Sequence, residues 1–214
     1  LRSPLHPATW FATGAIVVGF WVGAFAFSVL IGVVSAGLST LFIGLCYYVV
    51  PRLCGVRVVG ERIGHYLVWI WNLGLAAGFV ALALGYNQGL EAGEFPVVID
   101  TVIFIVIAVL TGEFIVTVAR RTEPQLYVAM WYLLAAFVWT VINLILGSYI
   151  LPYAITGINS AAFHGLFIHY IVGLWITPAG YVIIYYFLPV SARNPLFSHK
   201  LSLIGFWSLA LFYP

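Results

Sequence analysis

Apolar residues in this chain do not alternate with polar ones at the period of a strand, nor do they form the single stripe of a surface helix. They run in unbroken blocks, and charged residues and many prolines gather in the short segments between the blocks. A block of about 20 apolar residues, at 1.5 Å rise per residue, matches the roughly 30 Å hydrocarbon core of a bilayer. The blocks predict helices over Leu30–Val50, His65–Tyr86, Val97–Ala119, Leu126–Leu146 and Ser160–Leu188, and a last one opening near Leu201. A further run, Trp10–Phe27, joins the next block with no polar loop, and Pro178 is expected to kink the fifth span. The fold class is therefore all-α, a polytopic transmembrane helix bundle.

Composition removes the soluble alternative. The chain is 64% apolar and 7% charged, whereas a soluble domain carries roughly a quarter charged residues. Membrane lipid is the expected surroundings. No phosphate loop and no run of basic residues points to nucleic acid, which is not expected as a partner.

Charge sets the orientation. Arg52, Arg57 and Arg62 fall after the first block, Arg120 and Arg121 after the third, and Arg193 and Lys200 after the fifth. The intervening segments, Asn87–Pro96 and Tyr149–Asn159, hold Glu91 and Glu94 but no Lys or Arg, so the three basic loops are expected on the cytoplasmic side. Arg2 fits either side, depending on whether residues 10–50 form one long helix or a hairpin. Glu91 and Glu94 read first as a solvated acidic loop, and second as a cation or donor-subunit contact.

Other residues carry less information. Cys46 and Cys54 have neither CxxC spacing nor a neighbouring His and read as reduced structural thiols. Gly19 with Gly23 and Gly74 with Gly78 are small-xxx-small pairs that allow close backbone approach. Trp10, Trp69, Trp71, Trp131 and Tyr127 are expected at membrane interfaces. The chain opens without Met and ends about 14 residues into the last span, a rise of roughly 21 Å. It is expected to be a fragment, a single transmembrane domain over 1–214 forming the N-terminal part of a longer bundle.

Topology places two chemically active residues at one depth. His169 lies about nine residues into the fifth span, roughly 13 Å below the outer surface. Tyr213 lies about 18 Å up the last span, or roughly 12 Å below the same surface of a 30 Å core. A histidine this deep is costly unless it faces the bundle and finds a partner. It reads equally as a metal ligand and as a neutral imidazole bonded across helices. His164 is about 140° round the helix from His169 and is expected to be structural, while His65 and His199 read as interfacial or solvated. Ser202 and Tyr213 lie within about 20° of one helix face, with His199 a turn nearer the cytoplasm, so the three are candidates for one proton path. Glu113 is mid-span, where a carboxylate must be protonated, paired or beside a hydrated path; it reads first as a hydrogen-bonded structural carboxyl and second as a further proton-path residue. Arg120, about 10 Å along the helix, is too far to be its direct partner.

At these residues the chain resembles a known family. The segments YYVVPRL at 47–53, WIWN at 69–72, GYNQG at 85–89, RRTEPQLY at 120–127, HYIVGLWITP at 169–178 and SHKLSLIGFW at 198–207 are similar to the catalytic subunit of cbb3-type haem-copper cytochrome c oxidases. The resemblance covers about residues 40–214 and implies an incomplete haem-copper oxidase subunit I. It implies reduction of dioxygen to water with electrons from cytochrome c-type donor subunits, coupled to proton movement, in a bacterial cytoplasmic membrane. The implied cofactors are a low-spin haem b, a high-spin b-type haem and copper. By the same resemblance His169 is the first histidine ligand of the copper, and Tyr213 is the tyrosine cross-linked to it. The remaining copper and high-spin haem ligands are implied beyond Pro214, so this chain alone is not expected to complete the site or to be active. His6, in LRSPLH, resembles the segment holding a low-spin haem ligand, but Tyr47 follows at roughly twice the family's spacing, which instead falls near Val29. Two alternatives stand beside this reading: a nitric oxide reductase of the same superfamily, which lacks the cross-linked tyrosine, and a non-redox transporter or structural membrane protein.

Overall fold

The computed structural model describes residues 27–90 and 93–213. Arg2, His6, Trp10, the Gly19 and Gly23 pair, Glu91 and Pro214 lie outside them. Six helices follow in order: α1 (Phe27–Cys54), α2 (Glu61–Ala83), α3 (Val97–Ala119), α4 (Val128–Ala154), α5 (Ile158–Ala192) and α6 (His199–Phe212). Among the described residues five are long and apolar enough to cross a membrane, and α6 is shorter. Helices suit this solvent because every backbone N–H and C=O is satisfied within its own segment.

The connections gather at two ends. Thr122 N donates to Cys54 O at 3.0 Å, which joins the first two basic loops. Gly55, at φ 69°, leaves room there for the Thr122 side chain. The third basic loop reaches the same end, where Tyr127 donates to Tyr185 O at 2.9 Å and faces the His199 ring. At the opposite end the Gln88 side chain donates to Phe95 O and Asp100 Oδ2.

An aromatic column joins the helices between these ends. Phe42 of α1 and Phe137 of α4 each meet Trp175 of α5 edge-on at 5.2 Å, and Phe114 of α3 meets Phe137 at 5.0 Å. Gly74 and Gly78 do form a packing face, against Val102, Ile103 and Phe95. Cys46 and Cys54 are free and buried. Trp71 departs from the interfacial expectation. It is buried and donates from Nε1 to Thr40 Oγ1 at 2.8 Å, whereas Trp69 is exposed. The start of α2 also moves, to Glu61, because Gly60 at φ 82° turns the chain and its carbonyl accepts from Ile63 N and Gly64 N.

Pro178 acts through a wider distortion than a simple kink. Residues Ile171–Ile176 form a π-helical segment that ends two residues before Pro178, and Ile145–Ile150 form a second one ending two residues before Pro152. A proline lacks the N–H of the regular ladder and its ring crowds the carbonyl four residues back. The wider π turn relieves that crowding.

Candidate functional site

The site is built on the π-helical segment Ile171–Ile176 of α5. His169 sits at the end of the regular first part of α5, and Gly173, one turn on, lies in the π segment. Tyr213 caps the end of α6. Its ring lies parallel to the His169 imidazole within 2°, with centroids 4.2 Å apart. The two residues expected at equal depth are thus in contact. The Tyr213 hydroxyl lies 3.4 Å from His169 Nδ1 and donates to His169 O at 3.2 Å, while Nε2 lies 3.3 Å from Tyr213 O. Both imidazole nitrogens therefore face polar atoms of one residue, and His169 as a whole is exposed rather than enclosed by the described helices.

Gly173 makes this arrangement possible. A Cβ built there would fall inside the Tyr213 ring. The same device recurs 26 residues earlier. Gly147 lies in the π segment of α4, and a Cβ there would meet the ring of Phe167. Asn143 Nδ2 donates to Phe167 O at 3.2 Å, which ties the turn carrying His169 to α4. Asn143, Gly147, Phe167 and Gly173 are absent from the reading of the sequence. Their signal was there: GSYILP at 147–152 and GLWITP at 173–178 each place a glycine five residues before a proline, and Asn143 is a polar residue in an apolar span.

The other candidates separate. Ser198 caps α6 by accepting from Leu201 N at 3.2 Å, and Ser202 Oγ donates back to Ser198 O at 3.0 Å. His199 stands beside Tyr127, at the end of the bundle remote from Tyr213. Glu113 does not join this face. Its Oε2 accepts from Tyr47 of α1 at 2.6 Å, in the cluster of α1, α2 and α3, whereas α6 packs on α4. His65 is exposed and His164 is half-buried. Among the described residues no group of three or more His, Cys, Asp or Glu converges as a metal centre.

Residues 29–214 match the family model described as Cytochrome C and Quinol oxidase polypeptide I. A cytochrome c oxidase subunit 1 homolog of Agrobacterium tumefaciens is 31% identical, over 80% of this chain and 33% of its own length. A bacteroid cytochrome c oxidase subunit 1 homolog of Bradyrhizobium diazoefficiens is 32% identical over 82% of this chain and 34% of its own. A cbb3-type cytochrome c oxidase subunit CcoN1 of Stutzerimonas stutzeri is 30% identical over 78% of this chain and 37% of its own. The chain spans about a third of the length of the curated relatives it matches.

Proposed function

Because this chain belongs to the cytochrome c and quinol oxidase polypeptide I family, we propose that it is part of a respiratory terminal oxidase. That enzyme reduces dioxygen to water with electrons from cytochrome c-type subunits, in a bacterial inner membrane. The observation that carries the reading is the contact between the His169 and Tyr213 rings.

The residues present fit copper through one ligand. His169 offers an exposed imidazole, and neutral imidazole suits this metal. No described cluster supplies the other ligands, and no described residue is assigned to either haem; His6 lies outside the described residues. A copper held by His169 would supply a redox metal for oxygen reduction. The chain's own part is to hold the imidazole in register through Asn143 and the Phe167 seat. It also keeps a phenol against that ring, where its hydroxyl can give up a proton and its ring an electron. In this reading Tyr213 becomes covalently joined to His169: a ring C–H of the phenol and the N–H of the imidazole are lost as two electrons and two protons, which the dioxygen substrate of the proposed enzyme would accept. Protons reach the phenol from the basic end along the α6 face that carries His199 and Ser202. The Ser202 hydroxyl hydrogen is given to Ser198 O, but the oxygen retains lone pairs to accept from a neighbour. Glu113 is not on this route.

His169→Ala in the full-length protein is the direct test. Copper content should fall by more than about tenfold, since loss of even an outer partner of a metal ligand costs roughly 10–100-fold. Oxygen reduction should be lost with the protein still inserted. Full copper occupancy with normal turnover would remove His169 from the site. Turnover of nitric oxide in preference to oxygen would favour the reductase reading, and a purified protein without haem absorbance the non-redox one.

The gathering of the basic loops supports a cytoplasmic location for that end. Cys46 and Cys54 are buried, so introduced cysteines should report cleanly. Asn194→Cys should react with an impermeant maleimide only from the cytoplasmic side and Thr156→Cys only from the other. The reverse pattern would invert the bundle.

A further inference from the structure

The aromatic column does not end at Phe114. The Tyr47 ring of α1 meets Phe114, so Trp175, Phe137, Phe114 and Tyr47 follow one another at centroid steps of 5.2, 5.0 and 5.4 Å. All four are buried. At the other end Trp175 stands two residues beyond Gly173, the glycine on which the Tyr213 ring lies. An oxidisable indole and an oxidisable phenol are thus bridged by two phenyl rings, and the indole begins close to the seat of the His169–Tyr213 pair. Electron transfer weakens steeply with distance. A file of rings in contact keeps each step short.

The far end of the file has what a phenol needs in order to lose an electron. An oxidised phenol becomes a strong acid, so it must give up its proton to an acceptor already within hydrogen-bond reach. Tyr47 has one. Its hydroxyl donates to Glu113 Oε2 at 2.6 Å, a length that belongs to a hydroxyl on an ionised carboxylate and is shorter than the usual neutral O–H···O bond. The carboxylate lies over Gly60 at the start of α2, where an added Cβ would stand 2.8 Å from Oε1, and the positive end of a helix dipole favours such a charge. Gly64, one turn on, leaves room for the Tyr47 hydroxyl. Thr117 Oγ1 donates to Glu113 O at 2.6 Å and accepts from Val59 N at 2.9 Å, which pins the start of α2 to α3 around the pair. Tyr47 is 1% exposed and Glu113 7%. Before oxidation the buried pair carries the charge of the carboxylate, and afterwards it carries none. Losing an electron therefore relieves part of the cost of burying that charge.

We propose that Tyr47 is a second redox-active tyrosine, with Glu113 as its proton acceptor and Phe114, Phe137 and Trp175 as its connection to the His169–Tyr213 pair. The oxidant rests on the oxidase reading: it is the Tyr213 phenoxyl radical left when that phenol has given an electron and a proton to oxygen. One electron passes from Tyr47 to this radical, and Tyr213 takes up a proton from the α6 route and is a phenol again. The Tyr47 O–H bond breaks and its proton passes to Glu113 Oε2, leaving a neutral radical beside a neutral carboxyl. An electron from the cytochrome c-type donors later reduces the Tyr47 radical, and the proton returns to it from Glu113. The pair stores one oxidising equivalent away from the oxygen site when donor electrons are late.

Electron paramagnetic resonance of the full-length protein, mixed with hydrogen peroxide without donor and frozen, tests the proposal. The wild type should show two tyrosyl components, both narrowed by ring-deuterated tyrosine. One of them should be lost in Tyr47→Phe. Glu113→Gln keeps the ring but removes the proton acceptor, and should lose the same component; it also reads the site if Tyr47→Phe does not insert. Phe137→Leu opens the file and should slow the appearance of that component. A peroxide-induced spectrum unchanged by Tyr47→Phe and Glu113→Gln would overturn the proposal. If peroxide yields no radical at all, the oxidase reading fails, and ultraviolet photolysis of the frozen protein then decides on Tyr47 alone. After annealing, the surviving radical should be present in the wild type and absent from Tyr47→Phe and Glu113→Gln. Its survival in both variants would overturn Tyr47 as a redox site.

Discussion

Tyr213→Phe in the full-length protein is expected to lower oxygen reduction by at least about a hundredfold, with haem and copper content retained. A positioned proton donor contributes roughly 10²–10⁴-fold to a reaction that needs it. The substitution removes only the hydroxyl that lies 3.4 Å from His169 Nδ1 and donates to His169 O. The ring is kept, and so is its seat against Gly173, so the imidazole should hold its place and the metal should stay. The variant therefore separates the phenol's chemistry from its packing. A mass spectrum of the peptides containing residues 169 and 213 adds a second reading: wild type should give one joined species and Tyr213→Phe two separate ones. Wild-type turnover in the variant would take the phenol out of the mechanism and favour the nitric oxide reductase or non-redox alternatives.

Gly173→Ala should be nearly as damaging, although no functional group is lost. The added methyl would occupy the space of the Tyr213 ring. Either the ring leaves His169 or α5 and α6 part, and forced overpacking costs about 1–3 kcal/mol. Turnover should fall by more than about tenfold, since about 1.4 kcal/mol in a barrier is already tenfold. Haem content should be retained. Gly180→Ala on the same helix is the control, because nothing lies within 4 Å of a Cβ built there. An alanine in place of a helical glycine adds helix propensity of about 1 kcal/mol. Equal activity in the two alanine variants would show that the Tyr213 position does not depend on Gly173.

The depth relation between His169 and Tyr213 was legible from residue counts alone, because rise per residue and bilayer thickness are nearly constant. The seat beneath Tyr213 was not read, though GLWITP and GSYILP display it. A glycine five residues before a proline looks like ordinary punctuation until the π turn brings an aromatic ring from another helix onto it. Trp71 shows the opposite failure. Its place near a span end suggested the interface, and rotation of α2 about its axis put the indole on Thr40 instead.

Local chemistry in the sequence determined the solvent, the all-helical class, the approximate ends of the spans, the alternation of basic loops and the family resemblance. Transfer of a segment into lipid depends on that segment's own length and polarity, so no partner needs to be known. The tertiary structure decided which faces meet: Tyr213 on Gly173, Phe167 on Gly147, and Glu113 with Tyr47 rather than with Ser202 and His199. In water a helix shows its inner face by an apolar stripe. In a bilayer lipid and protein core are equally apolar, so the inward face carries no such mark and is selected by close packing and by the few polar groups that must find partners.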